Sequence, residues 1–342
     1  MPDKFPDMQY RTLGFTGLKI SVIGFGGWRT SHGGLEDKDT AFECIKWAYD
    51  LGVNFFDTVE GHPAALSETF LGQAIKRFRW KQTDLVISTK IFQGSVGPPN
   101  NNNNNNNNNK SSARKHILEG MEDSLRRLDL PYVDIAYAHP PDFNTPMEEI
   151  VRAFNHLINT GKTIYWGTYD WSLTEITDAV DTAERLHLVG PAAHQPEYSL
   201  LAHIRVAREY TPMYGVDGYG LTTHSPLRKG ILTGKYNIVT SPPPGSRLAE
   251  SRAKFIEEYR KTFGDEAWEK DAAKVDKLRE IAKDLGVSVA QLSIAWTLLN
   301  EDVSCVITGA SRADQVMESI RSLDVLPKFT DDIKGQIQAV IG

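Results

Sequence analysis

The sequence predicts an α/β fold, a (β/α)8 or TIM barrel preceded by an N-terminal β-hairpin. The first observation is that apolar, strand-like runs alternate with amphipathic, helix-like stretches almost to the end of the chain. The second is that these runs are continuously apolar, which indicates strands buried on both faces and joined by right-handed parallel crossovers. The third is their number, because eight such units close most simply into one barrel.

The predicted elements follow one another along the 342 residues. The segment YRTLGFTGLKIS predicts a hairpin that turns at Thr16 and Gly17. The eight strand candidates are SVIGFGG, VNFFDT, LVISTK, VDIAYAH, TIYWGTYD, AAHQPEY, YGLTTHSPL and SCVITGA. Helical stretches such as DTAFECIKWAYDLG and ARKHILEGMEDSLRRL separate them. We therefore expect a single domain over residues 1–342.

An open, doubly wound sheet is the competing architecture. The stretch GFGGWR, from Gly24 to Arg29, has some likeness to the glycine-rich turn of a dinucleotide-binding unit. It lacks the third glycine at the required spacing, which disfavours that architecture. The barrel is therefore the preferred prediction.

Two segments interrupt the alternation. Residues 94–112 contain a run of asparagines at 100–109, which is polar and low in complexity and predicts a disordered surface loop. The stretch LTGKYNIVTSPPPGSRLAESRAKF follows the seventh strand and is too long for a tight connection. Loops of that length in compact domains are usually lids or binding loops.

Composition excludes several classes of protein. A net charge of -6 and a pI near 5.9 leave no basic surface for nucleic acid. The start MPDKFPDMQYRTLG has no apolar signal region, and no run approaches the roughly 18 apolar residues of a membrane span. We therefore expect a cytoplasmic protein. Cys44 and Cys305 are too few for a disulfide framework and are predicted to be core thiols.

Polar residues end most of the predicted strands. Asp57 ends the second strand, Lys90 the third and His139 the fourth, and the next three strands end in Thr168, Tyr169, Asp170, Gln195, His224 and Ser225. Singly, each has an ordinary structural explanation, such as a helix cap or a solvent-facing lysine. At one barrel mouth, however, Lys90 would be partly desolvated and held charged by Asp57, which indicates acid–base chemistry or anion stabilisation.

The segments GFGGW, NFFDT, STK, WGTYDWS, HSPL, GKY and GASRADQVMESI, with the longer stretch PMEEIVRAFNHLINTGKTIYWGT, carry a family resemblance. Together they resemble the aldo-keto reductase superfamily, and most closely the Shaker-type voltage-gated potassium channel β subunits with their fungal and plant relatives. The resemblance spans nearly the whole chain, from Tyr10 to about Gly342, and breaks at the asparagine run.

The resemblance implies NADPH bound across the barrel mouth, with hydride passing to the carbonyl carbon of a small-molecule substrate. It implies that Gln195 holds the carboxamide, that Arg312 grips the 2′-phosphate, and that the long segment after the seventh strand closes over the pyrophosphate. The residues it assigns to the cofactor are Gly27, Trp28, Asp57, Lys90, Thr168, Tyr169, Gln195, His224, Ser225, Pro226, Leu227, Lys235, Ser246, Arg247, Gly309, Ser311, Arg312, Gln315, Glu318 and Ser319.

The four catalytic residues of the superfamily are an aspartate, a tyrosine, a lysine and a histidine. Asp57, Lys90 and His139 match in place, but His62 stands where the tyrosine is expected. An imidazolium at His62 could donate the proton, although the Lys90 ammonium and burial should both lower its pKa. General acid catalysis contributes about 10²- to 10⁴-fold, so we expect a slow reductase that still binds NADPH.

Other positions also depart from the resemblance. Tyr169 and Asp170 replace a serine and a basic residue, and Leu35 replaces a glutamine that contacts the cofactor. For the substrate, the aromatic side chains of Trp28, Tyr137 and Trp171 are candidate pocket walls and would accommodate a planar or apolar aldehyde.

Three functions remain open at this point. The first is a cytosolic carbonyl reductase. The second is an NADPH-binding regulatory subunit of a potassium channel α subunit, a homo-oligomer and by kinship a tetramer, with too short a segment ahead of Met8 for a blocking peptide. The third is a metal-dependent hydrolase using His62, His139 and His224, which is disfavoured because the first strand has no paired His-x-His.

Overall fold

The computed structural model of the protein describes residues 5–27, 38–60, 66–91, 112–142, 144–216, 218–238 and 252–342. A hairpin of β1 (Tyr10–Thr12) and β2 (Lys19–Ser21) comes first and is antiparallel. Eight strands then form a closed barrel: β3 (Ile23–Gly26), β4 (Phe55–Asp57), β5 (Val86–Ile91), β6 (Val133–Ala138), β7 (Thr163–Tyr169), β8 (Ala193–Gln195), β9 (Gly220–Thr223) and β10 (Val303–Thr308). All neighbours pair in parallel, and β10 returns to β3. The predicted (β/α)8 barrel with its hairpin is confirmed, and the open doubly wound sheet is excluded.

Helices surround the barrel on the outside of the strands. They are α1 (Lys38–Asp50), α2 (Leu66–Phe78), α3 (Arg114–Leu128), α4 (Met147–Asn159), α5 (Leu173–Arg185), α6 (Thr211–Val216), α7 (Lys235–Ile238), α8 (Arg252–Phe263), α9 (Ala267–Asp284), α10 (Val289–Leu298), α11 (Ala313–Ile320) and α12 (Asp331–Ile341). Local sequence marks the start of some of them; for example, Ser172 and Glu175 form a reciprocal capping box at the start of α5. Among the described helices, none combines the length and apolar character that a membrane crossing requires.

The two segments predicted as loops have different outcomes. The asparagine-rich stretch at 94–112 lies outside the described residues except for Ser112. The long segment after β9 is not a loop throughout, because α7 occupies its start and α8 begins at its end, while residues 239–251 lie outside the described part. Within α8, Tyr259 and Phe263 are four residues apart, a spacing typical of a helix. The prolines that precede α8 favoured the prediction of a loop instead.

The core has an inner and an outer layer. Inside the barrel, Phe55, Ile135 and Cys305 pack with Leu13 and Ile20 of the hairpin. The hairpin therefore plugs the amino-terminal end, and Phe15 N donates to Gly218 O at 2.9 Å just ahead of β9. The outer layer lies between the strands and the helices and contains Cys44, so both cysteines are buried free thiols, as predicted. Because the hairpin closes the amino-terminal end, a functional site is expected at the carboxyl ends of the strands.

Candidate active site

A cavity of about 620 Å³ opens where the barrel strands end. Its wall comes from the ends of β3 to β8 and β10, from the segments that follow β9 and β10, and from α8, α10 and α11. The carboxyl ends of parallel strands meet at one rim, which is why residues far apart in sequence converge here. The residues suggested by the sequence that line this cavity are Asp57, Lys90, His139, Tyr169, Gln195, His224, Ser225, Pro226, Leu227, Lys235, Gly309, Arg312, Gln315, Glu318 and Ser319.

A buried ion pair lies in the cavity wall. Lys90 Nζ is 2.5 Å from Asp57 Oδ2, and each side chain is only 9% exposed. The ammonium also donates to Thr58 O at 3.1 Å. The second carboxylate oxygen, Asp57 Oδ1, accepts from Ser88 Oγ at 2.7 Å and from Gln195 Nε2 at 3.3 Å. A buried pair is tolerated when added hydrogen bonds satisfy its remaining donors and acceptors, as they do here.

His139 follows β6 and contributes an imidazole to the same wall. Burial lowers its pKa to about 4; the Asp170 carboxylate opposes this shift and the Lys90 ammonium adds to it. The ring is therefore neutral near pH 7. A neutral imidazole still has one N–H donor, so His139 can polarise a carbonyl oxygen by a hydrogen bond without carrying charge.

Three rings form a stack beside the ion pair. The Tyr169 ring lies 5.3 Å from the His139 ring and 5.0 Å from the His224 ring, centroid to centroid, with interplanar angles of 30° and 26°. Lys90 Nζ lies 5.6 Å from the centroid of the Tyr169 ring. We call His139, Tyr169 and His224 the ring stack. Such offset contacts between flat rings are favourable, and the ammonium over the phenol adds a cation–π attraction.

Asp170 holds one member of the ring stack, His224. Its Oδ1 accepts from His224 Nε2 at 3.0 Å and from the backbone N–H of Glu197 at 3.2 Å. Burial alone would raise the Asp170 pKa, but the interactions with His224, the Glu197 backbone N–H and His194 together outweigh burial and lower it. Burial, followed by the Asp170 charge, raises the pKa of the Tyr169 phenol. The phenol thus stays protonated next to an ionised Asp170.

The opposite end of the cavity is formed by the segment between β10 and α11. Ser311 donates to Gln315 Oε1 from its backbone N at 2.8 Å and from its Oγ at 3.2 Å. Arg312 donates from Nε and Nη2 to the two carboxylate oxygens of Asp314, each at 3.0 Å. With Glu318, which also lines the cavity, these residues form a polar end that carries an exposed guanidinium.

Several residues suggested by the sequence do not line the cavity. Thr168 is fully buried and its Oγ1 lies 2.7 Å from His194 Nδ1, because alternation along β7 turns it away when Tyr169 faces the cavity. Gly27 packs against Ser67, where a Cβ atom would come within 2.8 Å of the Ser67 Cβ. Ser311 acts through Gln315 rather than in the wall itself. The residues that lie outside the described part of the chain are Trp28, Leu35, His62, Ser246 and Arg247.

The expectation that Tyr137 and Trp171 form pocket walls is wrong. Both side chains are fully buried. The Tyr137 hydroxyl is 2.7 Å from Thr222 Oγ1 inside the barrel, and Trp171 Nε1 donates to Ala138 O at 3.0 Å. Each polar tip is thereby satisfied within the protein, which removes the reason to place it at the surface of a pocket.

Sequence reasoning missed part of the wall between β8 and α8. Arg228 Nη1 lies 2.8 Å from Glu197 Oε1, and the Arg228 Cζ lies 3.7 Å from the centroid of the Phe263 ring. Arg228 and Lys229 line the cavity and follow the HSPL motif directly. Two consecutive cations after a strand end are a signal that could have flagged them. Phe263 carries no comparable signal, because its position depends on where α8 packs.

Comparison with known proteins agrees with this geometry. A family model described as the aldo/keto reductase family matches residues 22–341. The chain is 45% identical over 334 residues to a probable voltage-gated potassium channel subunit beta of Arabidopsis thaliana, covering 98% of this chain and 97% of that protein. It is 43% identical over 337 residues to a protein of the same description from Oryza sativa subsp. japonica, with 98% and 97% covered.

A less similar relative also matches nearly the whole chain. The chain is 39% identical over 336 residues to a putative voltage-gated potassium channel subunit beta of Schizosaccharomyces pombe (strain 972 / ATCC 24843), covering 98% of this chain and 94% of that protein. The resemblance inferred from the sequence motifs is confirmed by these matches. Because the family model spans nearly the whole of a chain that folds as a (β/α)8 barrel, the protein belongs to the aldo/keto reductase family.

Proposed function

We propose that the protein is an NADPH-dependent reductase of aldehydes or ketones. The observation that carries the proposal is the buried Lys90–Asp57 ion pair beside the neutral His139, in a cavity that extends to the guanidinium of Arg312. Charge stabilisation at one end and an anion-binding group at the other are what carbonyl reduction by a phosphorylated dinucleotide needs.

The residues present fit such a cofactor. The Gln195 side chain is fully buried, and its Oε1 has no hydrogen-bond partner among the described residues. A buried acceptor of this kind calls for a donor, and the amide N–H of a carboxamide is one. At the other end, Asp314 engages Nε and Nη2 of Arg312, while Nη1 carries further donors that suit a phosphate. The segment His224 to Leu227 lines the cavity between these two ends.

The chemistry divides between the cofactor and the chain. When bound, NADPH supplies a hydride to the carbonyl carbon. His139 donates a hydrogen bond to the carbonyl oxygen and so draws electron density from the carbon. Lys90, fixed by Asp57, adds a positive charge that stabilises the oxygen as negative charge develops on it. Lys90 does not have to reorganise for this role, because its hydrogen bonds to Asp57 and Thr58 are already formed.

Protonation of the oxygen is assigned to position 62. His62 replaces the tyrosine expected there, and a residue with a different reach and pKa makes the proton transfer less efficient. His139 is a weak alternative, because its lowered pKa leaves little imidazolium at neutral pH. We therefore propose slow turnover by a protein that still binds NADPH.

The test is a fluorescence titration of the purified protein with NADPH and with NADH, followed by a single-turnover reaction with 4-nitrobenzaldehyde. We expect tight NADPH binding, weaker NADH binding, and slow oxidation of the bound NADPH. Failure to bind either dinucleotide would overturn the cofactor assignment and the proposed function with it.

A second function has specific support. The relatives described as potassium channel β subunits match this chain over nearly its whole length. On this proposal the chain is a homo-oligomer, a tetramer by kinship, that binds NADPH and regulates a channel α subunit. Tight binding without aldehyde-dependent oxidation, together with co-purification of a channel α subunit, would favour regulation over catalysis.

A further inference from the structure

Tyr169 fills the space in front of the groups assigned to the carbonyl oxygen. Its ring is 5.3 Å from the His139 ring and 5.6 Å from Lys90 Nζ, and its other side meets the His224 ring at 5.0 Å. Tyr169 also pairs in register with Gln195 across β7 and β8. The phenol therefore lies among the groups assigned to the carbonyl oxygen and the carboxamide.

A ring that delivers hydride has to occupy that same space. Reacting atoms in productive complexes lie about 3–3.5 Å apart, so a nicotinamide ring must come next to a carbonyl held by Lys90 and His139. A carboxamide bonded to Gln195 brings the ring there as well. Two flat rings cannot share the gap between His139 and His224, which one phenol ring already fills with ring spacings near 5 Å.

We propose that Tyr169 occupies the position of the nicotinamide ring and must turn out of the ring stack before the reactive end of the cofactor can bind. This inference rests on the proposed function. The adenosine end, at Arg312 and Gln315, needs no such movement. Asp170 keeps His224 in place beside the phenol, because its Oδ1 accepts from His224 Nε2. Once Tyr169 leaves, the freed face of His224 is available for stacking by the incoming ring.

The movement lowers the affinity for NADPH. Turning Tyr169 out gives up its contacts with two imidazoles and its cation–π contact with Lys90, and the nicotinamide restores only part of them. A serine at position 169 has no ring to displace. We expect Tyr169→Ser to bind NADPH about tenfold more tightly, which corresponds to about 1.4 kcal/mol.

The experiment compares two ligands by isothermal titration calorimetry. NADPH carries the nicotinamide, whereas adenosine 2′,5′-bisphosphate carries only the adenosine end with its 2′-phosphate. Tyr169→Ser should tighten NADPH binding and leave the bisphosphate unchanged. Tyr165→Ser is the matched control, because Tyr165 lies on the same strand but donates to Thr16 O at the hairpin, away from the cavity. It should alter neither affinity.

Tyr169→Phe is the second control, and normal bisphosphate binding excludes a folding defect in the serine variant. Tyr169→Phe keeps the ring and removes only the hydroxyl, so its NADPH affinity should stay close to that of the unaltered protein. Unchanged or weaker NADPH binding by Tyr169→Ser, with normal bisphosphate binding, would overturn the inference alone. If the unaltered protein binds neither ligand, the proposed function fails, and the inference with it.

Discussion

Replacing Asp57 by asparagine should destabilise the protein more than replacing Lys90 by methionine. The two side chains form one ion pair and are equally buried, but their other partners differ. Asp57→Asn leaves the ammonium with one further partner shown in the described residues, Thr58 O at 3.1 Å. Lys90→Met leaves a carboxylate that still accepts from Ser88 and Gln195.

The magnitudes follow from that difference. Breaking a buried pair by removing one partner costs about 3–5 kcal/mol, because the remaining charge is uncompensated. Asp57→Asn should fall in this range. Lys90→Met should cost about 1–3 kcal/mol, since hydrogen bonds to a charged group contribute about 1.5–3 kcal/mol each and two of them remain. The double variant leaves no buried charge and should be less destabilised than the sum of the single variants by about 2 kcal/mol or more.

Urea unfolding followed by far-UV circular dichroism at pH 7 measures these differences, as shifts of the midpoint at an unchanged slope. Lys46→Met is the control, because Lys46 pairs with Asp50 on the surface and its loss should cost less than about 1 kcal/mol. The reasoning would be refuted if Lys90→Met lowered the free energy of unfolding as much as Asp57→Asn. It would also be refuted if the loss in the double variant equalled the sum of the two single losses within about 0.5 kcal/mol. Turnover cannot decide the question, since all three variants should lose activity.

Three other outcomes are expected. His62→Tyr should raise the turnover of a reactive aldehyde at least about tenfold with little change in NADPH affinity, and an unchanged rate would remove position 62 from the proton-donor role. Arg312→Ala should weaken NADPH binding about tenfold and leave NADH binding nearly unchanged, as measured by fluorescence titration; an equal loss for both would contradict a 2′-phosphate contact. The pKa values of His139 and His194 are lowered to about 4 and about 3, mainly by burial, whereas both histidines have a pKa near 6.5 in the unfolded chain. Below about pH 6.5 the unfolded chain therefore binds more protons than the folded protein. The contribution of these two histidines to stability should be fully present above about pH 6.5 and be lost as the pH falls toward 4, and the melting temperature of His139→Asn should fall less steeply over this range.

Much of the site could be predicted from the sequence because the fold places strand ends together. Asp57, Lys90 and His139 each end a continuously apolar run, and parallel strands in a closed barrel bring such ends to one rim. The same alternation along β7 that turns Tyr169 to the cavity turns Thr168 away from it, so period-two reasoning would have separated the two.

The remaining features depend on contacts that a one-dimensional pattern does not contain. The ring stack requires the rotamers of three side chains from three different strand ends. The Arg228–Phe263 contact requires α8 to return over the segment after β9. The burial of Tyr137 and Trp171 depends on hydrogen-bond partners for the Tyr137 hydroxyl and the Trp171 indole N–H. The presence of aromatic residues in the sequence does not identify those partners.

The proposed function gives the two ends of the cavity separable roles, and this bears on the choice between catalysis and regulation. Arg312 and Gln315, at the end assigned to the adenosine, carry side chains that suit the expected binding task. Tyr169 and Asp170, which depart from the family resemblance, lie at the other end, where the proposed function places the carbonyl and the reactive ring. Loss of turnover through this second end would leave dinucleotide binding at the first end intact, so affinity alone cannot distinguish a reductase from a regulatory subunit.

Affinity for adenosine 2′,5′-bisphosphate reports on the first end, and the single-turnover rate with aldehyde reports on the second. Only a variant that changes one without the other, such as Tyr169→Ser, can show that the two ends act independently.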